Sequence, residues 1–154
     1  MKILLFSAID LPAIPFRGSN YAITNHTSAK FVDVIFTTIS PSIPFPQELA
    51  ALAFHVGYFE VVADCVYYVN PKSLFTEQPP CARFPVVYGC SHAFSTLVFI
   101  SAYSGRCLYR YEPCPEYLGI PSNSKIGFTR LNCADHPFLS RTCIRTSSNP
   151  LVSC

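Results

Sequence analysis

The amino-acid sequence contains no tryptophan, a single methionine and few charged residues. Charged side chains occupy 13% of the 154 positions, whereas a typical soluble domain has about 25%. Glycine is also scarce, with 6 residues against 14 prolines. Proline interrupts helices, and aromatic and β-branched residues favour strands, so this composition excludes a bundle of long helices.

The sequence patterns of common enzymes are missing as well. The chain has no glycine-rich phosphate loop, no G-x-S-x-G elbow and no H-E-x-x-H motif. Two carboxylates, Glu112 and Glu116, have helical spacing, but Pro113 and Pro115 prevent the helix that would align them. We therefore predict a protein that is not an enzyme and that uses no cofactor.

Basic residues form no run along the chain. Residues 1–77 hold four basic and six acidic side chains, and residues 78–154 hold seven basic and three acidic ones. Nucleic-acid binding requires a dense patch that neutralises phosphates. The scattered charges predict a solvated surface and no nucleic-acid partner.

Cysteine is absent from the first 64 residues and then occurs eight times. An even count in a compact chain indicates a disulfide framework formed in an oxidising compartment, whereas the alternative is a set of buried thiols in a reduced protein. Eight cysteines allow 105 pairings, so the sequence does not select one. The candidates are Cys65, Cys81, Cys90, Cys107, Cys114, Cys133, Cys143 and Cys154, of which the terminal Cys154 is the expected exception.

Evidence for export in the sequence comes from two further features. The start MKILLFSAI fits the charged and apolar regions of a signal peptide, and it fits a buried first strand equally well. Asn25 begins the sequon Asn25-His26-Thr27, a glycosylation candidate that is used only on the secretory path. The predicted location is therefore secreted or in the lumen of the endoplasmic reticulum.

A membrane location is the alternative, because residues 84–105 contain no charged side chain. This stretch is long enough to span a bilayer. It also breaks at the sequence YGCSH into two runs of strand length. Two buried strands explain it better, so membrane association is possible but is not favoured.

Strand-like segments and turns alternate along the chain. Strands are predicted within residues 30–39, 58–69, 83–89, 93–103, 106–112, 125–131 and 142–146, and a short helix at 47–55. The predicted fold is mainly β with one short helix, α+β being possible, arranged as a small, cysteine-rich, disulfide-tied antiparallel sheet or sandwich. Two parts are expected, a proline-containing N-terminal segment with one strand (1–46) and a cysteine-rich β domain (47–154).

The stretch CLYRYEPCPEY, residues 107–117, carries the one predicted binding residue. A period of two places positions 107, 109 and 111 on one face of a strand and positions 108, 110 and 112 on the other. A cross-linked cysteine usually points inward, so Cys107 assigns the first face to the core. Arg110 then faces solvent, and its planar guanidinium suits it to anchor a partner.

A zinc site is an alternative use of the same cysteines. Its four ligands would be Cys107, Cys114, Cys133 and His136, a mixture that tetrahedral zinc accepts. Only the second half of this set has the close spacing of a zinc knuckle. Disulfides are therefore predicted in preference to metal.

The hexapeptide EPCPEY, residues 112–117, resembles the acidic-Pro-Cys-Pro turn of the immunoglobulin-like accessory proteins of coronaviruses. Those proteins are small, exported, disulfide-tied β sandwiches that bind host proteins. The resemblance implies a viral accessory-type role in host interaction and transfers no site residue.

Together these features predict a non-enzymatic, disulfide-stabilised interaction protein whose partner is an unidentified protein or glycan. The alternatives are a small membrane-associated protein that uses residues 84–105, the viral accessory-type role, and a reading frame with no selected function. The last alternative stays open because few charges and an absence of motifs also characterise incidental translation.

Overall fold

The described strands of the chain form one six-stranded sheet. The computed structural model describes residues 5–9, 29–37, 64–71, 78–81, 87–116, 122–134 and 141–154. The strands are β1 (Leu5–Ile9), β2 (Phe31–Phe36), β3 (Cys65–Val69), β4 (Tyr109–Glu112), β5 (Gly127–Thr129) and β6 (Arg141–Arg145). Helix α1 (Val87–Tyr103) and a short 3-10 turn (Pro79–Cys81) lie between β3 and β4 in sequence. The prediction of a mainly β, cysteine-rich fold with a helix is confirmed.

The sheet has the order β1-β2-β3-β6-β4-β5 and combines two kinds of strand pairing. Strands β1, β2, β3 and β6 are parallel neighbours, whereas β4 is antiparallel to both β6 and β5. The predicted antiparallel arrangement therefore holds only for the last three strands in the order. Strand direction depends on long crossover connections, which the two-residue period of a strand does not reveal. Strands β1 and β2 both precede residue 47 and belong to the same sheet as the cysteine-rich part.

Helix α1 lies where two strands were predicted, so the strand at 93–103 is wrong and the one at 83–89 overlaps the helix from Val87. The buried positions of the helix have the spacing of one helical face and are residues 91, 94, 95, 98, 101 and 102. Three of them are serines, and the opposite side exposes Ile100 and Tyr103. Because polar residues lie on the buried face of the helix and apolar residues on its exposed face, the hydrophobicity of the sequence shows no helical period. The short helix predicted at 47–55 lies outside the described residues.

Helix α1 ends at Tyr103, and the chain reverses at Gly105. This glycine has a φ of 74°, a left-handed conformation that costs other residues energy, and its N–H donates to the Ala102 carbonyl at 3.0 Å. The charge-free stretch 84–105 thus supplies a helix that packs on the sheet through Phe94 and Val98. Within the described ranges, no helix has the length and apolar character needed to cross a bilayer.

The core lies between α1 and one face of the sheet. Its largest members include Tyr67 on β3, Tyr109 on β4 and Ile144 on β6, all fully buried with Phe94 and Val98 of the helix. The hydroxyl of Tyr109 hydrogen-bonds to Ser101 of α1. A buried tyrosine needs such a partner, and this contact therefore fixes the helix over β4.

A buried glutamine joins the ends of two parallel strands. The side-chain amide of Gln78 donates to the Thr37 carbonyl at 2.8 Å and to the Val69 carbonyl at 2.9 Å. Its oxygen accepts from Asn70 Nδ2 at 3.1 Å, and its backbone N–H donates to the Ser91 hydroxyl of α1 at 3.2 Å. Because these polar groups all find hydrogen-bond partners within the chain, Gln78 acts as a structural clamp between the ends of β2 and β3.

Candidate binding site

All eight cysteines are paired within the chain. The pairs are Cys65–Cys133, Cys81–Cys90, Cys107–Cys154 and Cys114–Cys143. Cys154 is bonded to Cys107, with their Cα atoms 5.3 Å apart, so its expected exclusion was wrong. Its terminal position does not leave it unattached, since Cys107 at the start of the β4 region lies beside it. Four disulfides are consistent with an extracellular or luminal protein.

The alternative zinc site is wrong on the same grounds. Cys107, Cys114 and Cys133 each belong to a different disulfide and offer no thiolate to a metal. His136 lies outside the described residues, as does the sequon residue Asn25. The described part of the chain contains no cluster of three or more His, Cys, Asp or Glu side chains that could hold a metal ion.

The predicted two-faced pattern of strand β4 is confirmed. Cys107, Tyr109 and Tyr111 are buried on the core side, while Leu108 and Arg110 are exposed. Because β5 is the edge strand next to β4, its outward side chains extend the same exposed surface. Three apolar residues there have large exposed fractions: Leu108 at 49%, Ile126 at 63% and Phe128 at 59%. We call the surface formed by Leu108, Arg110, Ile126 and Phe128 the arginine face.

The electrostatics of this surface leave one cation without a counter-charge. Arg110 lies directly opposite Phe128 on β5 and opposite Arg145 on β6. Like charges in opposing positions of a sheet destabilise it. Arg145 is neutralised, because its Nε lies 2.9 Å from Glu112 Oε1. Arg110 has no carboxylate partner in the described part of the chain, so its charge is available to an external anion.

A second candidate site, a cavity, lies under the end of helix α1. The cavity has a volume of about 170 Å³ and is lined by Phe99 and Tyr103 of the helix, Ser7 of β1, and Arg130 and Asn132 from the segment after β5. The rings of Phe99 and Tyr103 stack with centroids 5.5 Å apart and planes inclined by 18°. Tyr103 is 78% exposed. The cavity therefore combines an aromatic wall with a guanidinium and an amide.

Leu131 lies between the two polar residues of this cavity and has an unusual backbone conformation. Leu131 has a φ of 58°, in the left-handed region that costs an ordinary residue about 1–2 kcal/mol. Its N–H donates to Thr129 Oγ1 at 3.0 Å, and its side chain is buried in the core. These contacts hold a strained conformation between Arg130 and Asn132, which points to a constrained rather than an adaptable segment.

A buried carboxylate lies behind the cavity, on strand β2. Asp33 has 0% exposure and pairs in register with Ser7 of β1 and Cys65 of β3. Burial raises the pKa of its carboxyl to about 6, while hydrogen bonds to the Ser7 side chain and the Cys133 amide lower it. The Cys133 N–H lies 3.4 Å from Asp33 Oδ2, next to the Cys65–Cys133 disulfide. Asp33 thus connects β1, β3 and the segment that carries Asn132.

Known proteins supply no function that could be transferred to this chain. No family model, curated protein or solved structure matches it. The likeness of EPCPEY to the coronavirus accessory turn therefore remains a hypothesis about residues 112–117. The described chain therefore offers two candidate sites, the arginine face and the cavity, and the sequence indicated only the first, through Arg110. Tyr103, Arg130 and Asn132 carry no local signal, because only the tertiary fold brings them together.

Proposed function

We propose that this protein is an exported, non-enzymatic interaction protein that presents the arginine face to a protein or glycan partner. The observation that carries the proposal is the position of Arg110 between Phe128 and Arg145 without a carboxylate of its own in the described chain. Arginine and exposed aromatic residues are enriched in protein interfaces, and Arg110 lies beside the exposed Phe128. The expected partner surface carries a carboxylate or another anion that pairs with Arg110.

Rigidity of the underlying frame supports this role. The arginine face lies on strands whose other side packs in the core through Tyr109 and Tyr111. Disulfides anchor both ends of this region, at Cys107 and Cys114. A surface that is already ordered loses little conformational entropy when it binds, and this favours affinity.

The binding proposal is tested with variants that leave the fold intact. The disulfide-intact chain is screened against immobilised extracellular protein domains and glycans, together with Arg110→Ala and the control Arg106→Ala, an exposed arginine outside the arginine face. We expect binding that Arg110→Ala weakens about tenfold or more and Arg106→Ala leaves unchanged. Binding that survives Arg110→Ala, in a variant that melts like the wild type, would contradict the proposal.

The export proposal needs a separate measurement. The chain is expressed in secretory cells, and its intact mass is compared before and after reduction and alkylation. We expect a protease-protected product whose unreduced mass is lower by eight hydrogens, corresponding to the four disulfides. Asn25→Gln should remove a glycan-dependent gel shift. Recovery of a cytosolic product with free thiols would refute export.

A further inference from the structure

We infer that the cavity under the end of α1 is a ligand site for a planar ring that carries a carboxylate, with the Arg130 guanidinium as the carboxylate-binding group. This site is separate from the arginine face, and its ligand is a small molecule or a ring-bearing terminal group. The size of the cavity fits a ring of this kind. A cavity of about 170 Å³ is comparable to the engineered cavity of about 150 Å³ that binds benzene.

The walls of the cavity favour a flat apolar ring. Phe99 and Tyr103 stack on one another, and the exposed ring of Tyr103 leaves a π surface for a further ring. Ala102 and Leu131 add apolar surface and are themselves buried. Ligand sites in general have mostly apolar walls and a few polar groups that set the orientation.

The polar groups of the cavity favour an anion on that ring. Arg130 makes no ion pair within the described residues, and its planar fork matches the two oxygens of a carboxylate. Asn132 uses Oδ1 to accept the Ala134 N–H at 3.1 Å, so its Nδ2 remains a donor. Leu131, between these two residues, has a positive φ of 58°. The two donors would bind the carboxylate and the aromatic wall would stack on the ring, so the expected ligand is a ring with one acidic substituent.

The guanidinium of Arg130 lies close to Gly105, and both residues line the cavity. A Cβ atom on Gly105 would lie 3.1 Å from Arg130 Nη1, so the guanidinium rests directly over this glycine. Gly105 is required here by its positive φ as well. A side chain at this position would require the guanidinium to shift by a few tenths of an ångström. The end of the helix and Arg130 are therefore in close contact at the cavity.

The test uses benzoate as the probe and the full, disulfide-intact chain labelled with ¹⁵N. We expect saturable shifts of the backbone amides of Tyr103, Gly105 and Asn132, with a dissociation constant on the order of 1 mM. Arg130→Gln should weaken benzoate binding about tenfold or more, since a charge-assisted bidentate contact is lost. Arg110→Gln is the matched control, because Arg110 is exposed but does not line the cavity.

Two further probes and one variant that fills the cavity extend the test: benzyl alcohol is neutral, and glucuronate has a non-planar ring. Benzyl alcohol should bind at least about tenfold more weakly than benzoate, because it lacks the charge. Ala102→Leu should abolish binding by filling the cavity, and glucuronate tests whether a sugar ring is preferred. The inference is overturned if benzoate gives no saturable shifts, if benzyl alcohol binds equally well, if glucuronate alone binds, or if Arg110→Gln and Arg130→Gln weaken binding equally. Because benzoate binding is measured without any partner of the arginine face, failure here is distinguishable from failure of the proposed function.

Discussion

Replacement of the buried Asp33 by asparagine should change how the stability of this protein depends on pH. In the folded chain burial raises the pKa of this carboxyl from 3.8 to about 6. The folded state therefore holds the proton more tightly than the unfolded state, and stability falls as pH rises from about 4 through about 6. A difference of about 2 between the pKa values of the folded and unfolded states corresponds to about 3 kcal/mol in total, of which about 2 kcal/mol is lost between pH 4.5 and 7.5.

Urea unfolding of wild type and Asp33→Asn at pH 4.5, 6.0 and 7.5, without reductant, measures this effect. Relative to Asp33→Asn, the wild type should lose about 2 kcal/mol of unfolding free energy between pH 4.5 and pH 7.5. All other ionisable groups are common to both chains and cancel, and so does any fixed cost of the amide. A difference that stays constant within about 0.5 kcal/mol would refute the claim that burial raises the pKa of Asp33.

Four further substitutions test the packing. Tyr109→Ala should lower the unfolding free energy by about 3–5 kcal/mol, whereas Arg110→Ala should change it by less than about 0.5 kcal/mol; chemical denaturation of both compares the two faces of β4, and the reverse order would contradict the strand register. Gln78→Ala should cost about 2–4 kcal/mol, because it leaves two buried carbonyls without a donor, and a neutral result would disprove the clamp. Gly127→Ala should cost about 1–3 kcal/mol in a thermal melt, because its Cβ would lie 2.5 Å from the hydroxyl of Tyr111, and an unchanged melting temperature would exclude this close packing.

The parts of the fold that the sequence predicted correctly are those with a strong local period. Strand β4 and its two faces follow from alternating tyrosines beside Cys107, and β2 follows from a β-branched run. Helix α1 was missed because Ser91, Ser95 and Ser101 occupy its buried face. A serine inside a helix is stabilised by a local contact, here from Ser101 Oγ to the Val98 carbonyl at 2.9 Å, which no hydrophobicity pattern records.

Most of the candidate site could not be predicted, because its residues are distant in sequence. Asp33 and Cys133 are 100 residues apart and meet only when β2 and the segment after β5 are both in place. Gln78 stands before two prolines in a stretch without periodicity, so nothing local marks it as buried. Arg110 was identified because one strand suffices to place it. Arg130 was not, because its role depends on the end of a helix that the sequence did not reveal.

The position of β6 in the sheet has a consequence for how the chain folds. This strand comes last in sequence among those described, yet it lies between β3 and β4. Until residues 141–145 are synthesised, β1-β2-β3 and β4-β5 are two separate groups, each with an open edge at which another chain could pair. The disulfide partners of Cys107 and Cys114 are Cys154 and Cys143, which are synthesised later. Until these two cysteines emerge, Cys107 and Cys114 can form a disulfide with one another. We expect nascent chains to depend on a chaperone and a disulfide isomerase, and chains that stop before β6 to aggregate.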